Sequence, residues 1–139
     1  MTMRIIVDAN IIISALIRDS ATRRILLHPR FDFYAPEYIM EEIERHKDLI
    51  SKKAGLSIQG VDTLISLMFD NIKAVGPALY KDNISKAHGL IGAYDENDVP
   101  FVALALSIPN SGIWTNDNHF SKQDRIRIWK TEDLIEFIR

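Results

Sequence analysis

The chain has 139 residues, 47% of them hydrophobic and 26% charged, with 17 Lys and Arg against 19 Asp and Glu. That length suits one domain with a sizeable core, expected to span residues 1–139, and a formal net charge of −2 argues against a polyanion binder held by bulk charge alone. The absence of cysteine excludes disulfides, thiolate zinc sites and cysteine nucleophiles.

Met1-Thr2-Met3-Arg4 leads straight into an apolar run, with no signal-peptide core before it. No apolar run approaches the roughly 18 residues that a membrane helix needs. The expectation is a cytoplasmic protein with no membrane partner. Residues 4–7 are continuous and β-branched, as a buried central strand should be. Helices are predicted over 10–17 and 21–27, the second ending at His28-Pro29. Residues 31–35 read as the second strand. Pro36 then fits the first turn of a helix running to Lys53, with Ile39, Ile43 and Ile50 on one side and Gly55 as its stop.

Residues 57–69 predict another amphipathic helix, with Val61, Leu64, Ile65 and Met68 inward. The third strand is placed at 71–75 and a helix at 77–90. Asn97 is read as the cap of the next helix, which tolerates Pro100 in its first turn and ends before Pro109. The fourth and fifth strands are predicted at 112–114 and 126–129, and Thr131 as the cap of a last short helix. Strands alternating with helices imply an α/β fold: a five-stranded, mainly parallel sheet covered on both faces.

Four acids fall where such a sheet would gather them. Asp8 and Asp117 follow the first and fourth strand signals, Asp98 opens a helix, and Glu42 lies in the helix after Pro36. Ligands bind at the carboxyl edge of open α/β sheets. Clustered carboxylates repel one another unless a cation neutralises them, which points to a hard divalent metal held by oxygens.

These residues resemble a known family. Val7-Asp8-Ala9-Asn10 is similar to the opening D-x-N of PIN-domain nucleases. Pro36-Glu37-Tyr38-Ile39-Met40-Glu41-Glu42-Ile43 resembles the second element, with Glu42 as its acid. Asp95-Glu96-Asn97-Asp98 and the small-residue helix after it resemble the third. Trp114-Thr115-Asn116-Asp117-Asn118-His119-Phe120 resembles the T-x-D-x-x-F fourth. The four stand in the family's order over nearly the whole chain, and similar proteins include toxins of toxin–antitoxin pairs.

The resemblance implies a three-layer α/β/α sandwich and a metal-dependent endoribonuclease acting on RNA. Asp8, Asp98 and Asp117 would hold Mg²⁺ or Mn²⁺, and Glu42 would contact a second ion or orient the attacking water. Asn10 and Thr115 carry hydrogen-bonding groups suited to orienting those ligands. An antitoxin protein is the implied partner in the toxin-like members, and a homodimer could use the apolar helices within 57–90.

Plainer accounts accompany each residue. Asp8 and Asp98 could favour helix N-termini, Asp117 could belong to an Asn/Asp-rich turn, and Glu42 shares a helix with Glu41 and Glu44. Asp95 is read as a cap in preference to a subsidiary ligand. Arg18 and Lys122 are the candidate substrate contacts, with a solvated role equally open for Arg18. The basic cluster of Arg45, His46, Lys47, Lys52 and Lys53 reads as a charged helix face. His119 is read as a turn residue or substrate contact, not a metal ligand, and Trp114 and Trp129 as core. The rival functions are an aspartyl-phosphate phosphatase, which commonly wants an acid where Asn10 stands, and a catalytically idle RNA or protein interaction module.

Overall fold

The run Ile5-Ile6-Val7 is wholly buried and forms the heart of β1 (Met3–Val7) in the computed structural model, which describes residues 2–18, 20–93 and 95–139. Beside it lie β2 (Phe31–Pro36), β3 (Ile72–Val75), β4 (Ile113–Trp114) and β5 (Ile128–Trp129). The order across the sheet is β3-β2-β1-β4-β5, every pair parallel. Burial on both faces explains why β1 is apolar throughout its second half instead of alternating.

Among the described residues, eight α-helices connect and cover the strands: α1 (Ala9–Ile17), α2 (Ala21–Leu26), α3 (Ile39–Arg45), α4 (Lys47–Ala54), α5 (Ile58–Phe69), α6 (Ile84–Ile91), α7 (Val99–Ser107) and α8 (Thr131–Ile138). The nearly all-apolar α7 packs across β1, β2 and β4, with α6 against it. The helices α1, α2, α4, α5 and α8 pack among themselves as the other layer, completing the expected α/β/α sandwich. Ile11, Ile12, Ala15 and Leu16 form the buried stripe of α1 at helical spacing. Arg23 closes the end of that helix by donating to the Ala15 and Leu16 carbonyls.

The sheet order reverses between β1 and β4. The connections that leave their carboxyl ends therefore diverge, leaving a crevice at the topological switch point, the usual ligand position in such sheets. Asp8 stands at the end of β1, and its amide donates to the Trp114 carbonyl at 3.1 Å. The core beneath is aromatic. Phe33 and Trp114 pack with tilted rings, their centroids 5.6 Å apart, and both tryptophans are buried as expected.

Several elements differ from the sequence reading. Pro36 does not start a helix. It ends β2, paired with Val75, and needs no donor toward β1, whose pairing with β2 stops at Tyr34. The helix expected through Lys53 is divided at His46, where φ −102° and ψ 8° leave helical values and the ring Nδ1 lies 2.8 Å from the Glu42 carbonyl. Residues 77–83 form two 3₁₀ turns around buried Tyr80 rather than the first half of α6.

Asn97 is not a cap. Its amide is capped by Asp95, and α7 opens with Asp98 at its N-cap position. Thr131 is the first residue of α8 rather than its cap, because its hydroxyl is taken by Trp114 Nε1 and Asn116. β5 begins at Ile128, two residues later than predicted. Gly112, at φ +133°, precedes β4 where an added Cβ would lie 2.3 Å from the Arg127 carbonyl oxygen, so close strand approach requires glycine there. Among the described residues, no helix is long and apolar enough to cross a membrane.

Candidate active site

Asp8 is the residue at which β1 becomes α1, and it is only 4% exposed. Its Oδ2 accepts a hydrogen bond from the Thr115 hydroxyl at 2.8 Å. Thr115 is itself fully buried, and its oxygen accepts in turn from the Asp117 amide at 3.0 Å. One hydroxyl thus fixes Asp8 and the backbone that carries Asp117. Burial pushes the Asp8 carboxyl above its usual range, and the Asp117 charge adds to this. The Thr115 hydrogen bond and the amides of Ala9 and Asn10 oppose it.

The loop after β4 is secured from the other side. Lys130 donates to the Asn116 carbonyl and to Asn118 Oδ1, and Asn116 Oδ1 accepts from the Thr131 amide. Asp117 Oδ1 accepts from the His119 amide at 2.9 Å, so the loop turns into the 3₁₀ segment Asn118–Lys122, anchored by fully buried Phe120.

Asp98 ends a 3₁₀ turn that feeds into α7. It is 7% exposed, and among the described residues its Oδ2 is the buried side-chain oxygen with no hydrogen-bond partner. Burial first, then the charges of Asp95, Asp8 and Asp117, push its carboxyl up to about 7. Glu42 projects from α3 into the same cleft, of about 190 Å³, which is lined by all four predicted acids together with Asn10, Asp95, Tyr38 and Phe101. An ion pair at 2.9 Å with Arg45 steadies Glu42. Glu41 is exposed and does not line the cleft.

The two candidate substrate contacts lie outside this lining. Arg18 is exposed at the far end of α1, about 15 Å of helical rise from Asp8. Lys122 is exposed at the end of the 3₁₀ segment after Asp117. Within the basic cluster, Lys47 pairs with Glu44 and Asp62, joining α4 to α5.

Three residues in or beside the cleft were given another role, or none, by the sequence. Tyr38 donates to the Asn97 carbonyl at 2.8 Å and meets Phe101 edge-on at 5.9 Å. Burial and the surrounding Glu42, Asp8 and Asp98 raise its phenol far above the ordinary value. Asp95 caps its turn, as expected, and also lines the cleft. His119 belongs to a group with Asp95 and Asp98 whose ligating atoms all lie within 4.8 Å of one another. The D-x-x-D spacing was visible in the sequence. The return of His119 toward it depends on the turn after Asp117.

The arrangement fits a divalent cation. An unpaired, buried carboxylate oxygen among like charges lacks a counter-charge, and the donors are mostly hard oxygens of the kind Mg²⁺ and Mn²⁺ bind.

The family model of the PIN domain matches residues 6–137. The chain belongs to the PIN-domain family. PIN domains are nucleases, commonly metal-dependent, so the carboxylate cleft stands where this PIN domain's chemistry is to be sought. Among curated proteins, none matches the chain.

Proposed function

We propose that this PIN domain is a Mg²⁺- or Mn²⁺-dependent endoribonuclease that hydrolyses phosphodiester bonds in single-stranded or structured RNA. The observation that carries the reading is the Asp98 carboxyl, unpartnered at Oδ2 among the described residues and raised first by its burial and then by its acidic neighbours. Asp8, Asp98 and Asp117 would hold the ion. When bound, it would supply a more acidic water and neutralise charge building on the scissile phosphate.

The chain's own residues do the rest. Thr115 orients Asp8 and sets the path of the chain into Asp117. Glu42, less buried than Asp8 and Asp98 and held by Arg45, would contact a second ion or orient the attacking water and take its proton. Asn10 lines the cleft beside them. Tyr38 keeps its proton, already committed to the Asn97 carbonyl, and so holds a loop instead of acting as a base. Lys122 and Arg18 are the proposed phosphate contacts farther along the RNA.

A cytoplasmic toxin of a toxin–antitoxin pair is the physiological reading we favour. A small antitoxin would restrain it by placing its tail near the acidic cleft. A homodimer could use the helices within 57–90, which leave Ile58, Leu67 and Leu79 exposed. RNA and DNA oligonucleotides of one sequence, incubated with the protein in Mn²⁺, test the substrate class. Cleavage of the RNA alone supports an endoribonuclease, cleavage of the DNA alone replaces it with a deoxyribonuclease, and RNA binding without cleavage favours the idle module.

A further inference from the structure

The ionisable residues in and beside the cleft form two groups that share Asp98. One contains Asp8 and Asp117, linked through Thr115. The other contains Asp95 and His119, each offering a ligating atom within 4.8 Å of the other and of Asp98. We propose that Asp95, Asp98 and His119 form a metal subsite of mixed oxygen and nitrogen character, which takes a first-row transition ion such as Mn²⁺ in preference to Mg²⁺. This deepens the metal-dependent reading above and rests on it.

Each residue is prepared for the role in a different way. Asp98 is 93% removed from solvent by its 7% exposure, and its Oδ2 has no hydrogen-bond partner among the described residues. An unpaired buried anion is costly unless a cation meets it. Asp95 has one oxygen committed to the Asn97 amide at 2.9 Å, which fixes the carboxylate and leaves the second oxygen for a ligand. His119 has its backbone pinned by the Asp117 side chain and its neighbour Phe120 sunk in the core. Its ring is not consumed by that contact, since Nδ1 stays 3.5 Å from Asp117 Oδ1, and the side chain is 47% exposed. The ring is therefore anchored at its root and free at its tip.

The donor set decides the ion. An all-carboxylate site suits Mg²⁺ and Mn²⁺ alike, whereas an imidazole suits transition ions and is a poor substitute for the oxygen shell that Mg²⁺ demands. His119 is thus the residue that would separate the two ions, and neighbouring Asp8 and Asp117 would not.

Pulsed electron paramagnetic resonance of the Mn²⁺-loaded full chain reads the nitrogen directly. The wild type is expected to show nitrogen coupling of a directly bound imidazole, lost in His119→Gln. Calorimetric Mn²⁺ affinity should fall by about tenfold or more in His119→Gln, while Mg²⁺ affinity stays within error. Asp95→Asn retains an oxygen to cap the turn, so it should remain folded and also lose Mn²⁺ affinity. A folded wild type that binds no Mn²⁺, a bound Mn²⁺ without nitrogen coupling, or equal Mn²⁺ affinity in wild type and His119→Gln overturns the subsite. RNA cleavage in Mg²⁺ separates the two levels. Cleavage without nitrogen coupling removes the subsite and leaves the nuclease reading. Nitrogen coupling with no cleavage of RNA or DNA supports the subsite and removes the nuclease reading.

Discussion

The Thr115 hydroxyl donates to Asp8 Oδ2 across 2.8 Å, joining two residues 107 positions apart in the sequence. The same oxygen accepts from the Asp117 amide, so β1 and β4 are locked together at their carboxyl ends by a side chain as well as by the sheet ladder. Thr115→Val preserves the shape and removes both bonds. It should cost about 1–3 kcal/mol, the penalty of leaving a buried carboxylate oxygen unsatisfied, and should lower cleavage sharply. Thr115→Ser should restore most of both. Urea unfolding of the three proteins, alongside their cleavage rates, checks this.

The raised Asp98 carboxyl makes stability depend on pH in a definite direction. Between the ordinary 3.8 and about 7, the folded state holds a proton that the unfolded chain releases. Metal-free stability therefore falls as pH rises through that window and is lowest above it. Asp8, shifted in the same direction, adds to the slope. In the presence of chelator, the melting temperature should decline from pH 5 to pH 8, and Asp98→Asn should flatten the decline. Added Mn²⁺ binds the ionised form, so its stabilising effect should be small near pH 5 and largest above 7. Thermal melts across pH, with and without Mn²⁺, give both curves.

Tyr38 ties the start of α3 to the turn that carries Asp95 and Asp98. Tyr38→Phe removes the hydroxyl and keeps the edge-on contact with Phe101. The expected loss of stability is about 1 kcal/mol, the worth of an ordinary hydrogen bond, accompanied by weaker Mn²⁺ binding because the turn is less fixed. Calorimetric Mn²⁺ titration that matches wild type would restrict Tyr38 to a packing role.

Glu41 and Glu42 are adjacent and chemically identical, but only Glu42 lines the cleft. Glu42→Gln should reduce cleavage by about 10²- to 10⁴-fold, the usual scale for removing a group that handles a proton. Glu41→Gln should stay near wild type. Comparing the two rates under saturating Mn²⁺ separates the roles.

What the sequence could and could not reveal follows from how far each feature depends on distant partners. Ile5-Ile6-Val7 announces a central strand because burial on both faces leaves nothing polar to permit. Asp8 and Asp117 are legible because a strand signal precedes each, and a parallel sheet brings such ends together whatever lies between. Pro36 misled because its fit to a helix start is local, while its pairing with Val75 is not. Residues 77–83 read as helix by composition, yet the buried Tyr80 draws them into tighter turns. Tyr38 and His119 join the site through a hydrogen bond between residues far apart in sequence and a 3₁₀ turn, neither of which leaves a periodic trace.

The central claim is that the acidic cleft of this PIN domain is a metal-dependent nuclease site built around Asp98. Cleavage of a single-stranded RNA by purified wild type in Mn²⁺, run beside a folded Asp98→Asn variant and a chelator control, tests it most directly. The predicted result is cleavage by wild type with Mn²⁺ and by neither control. Full metal-dependent turnover by Asp98→Asn would contradict it.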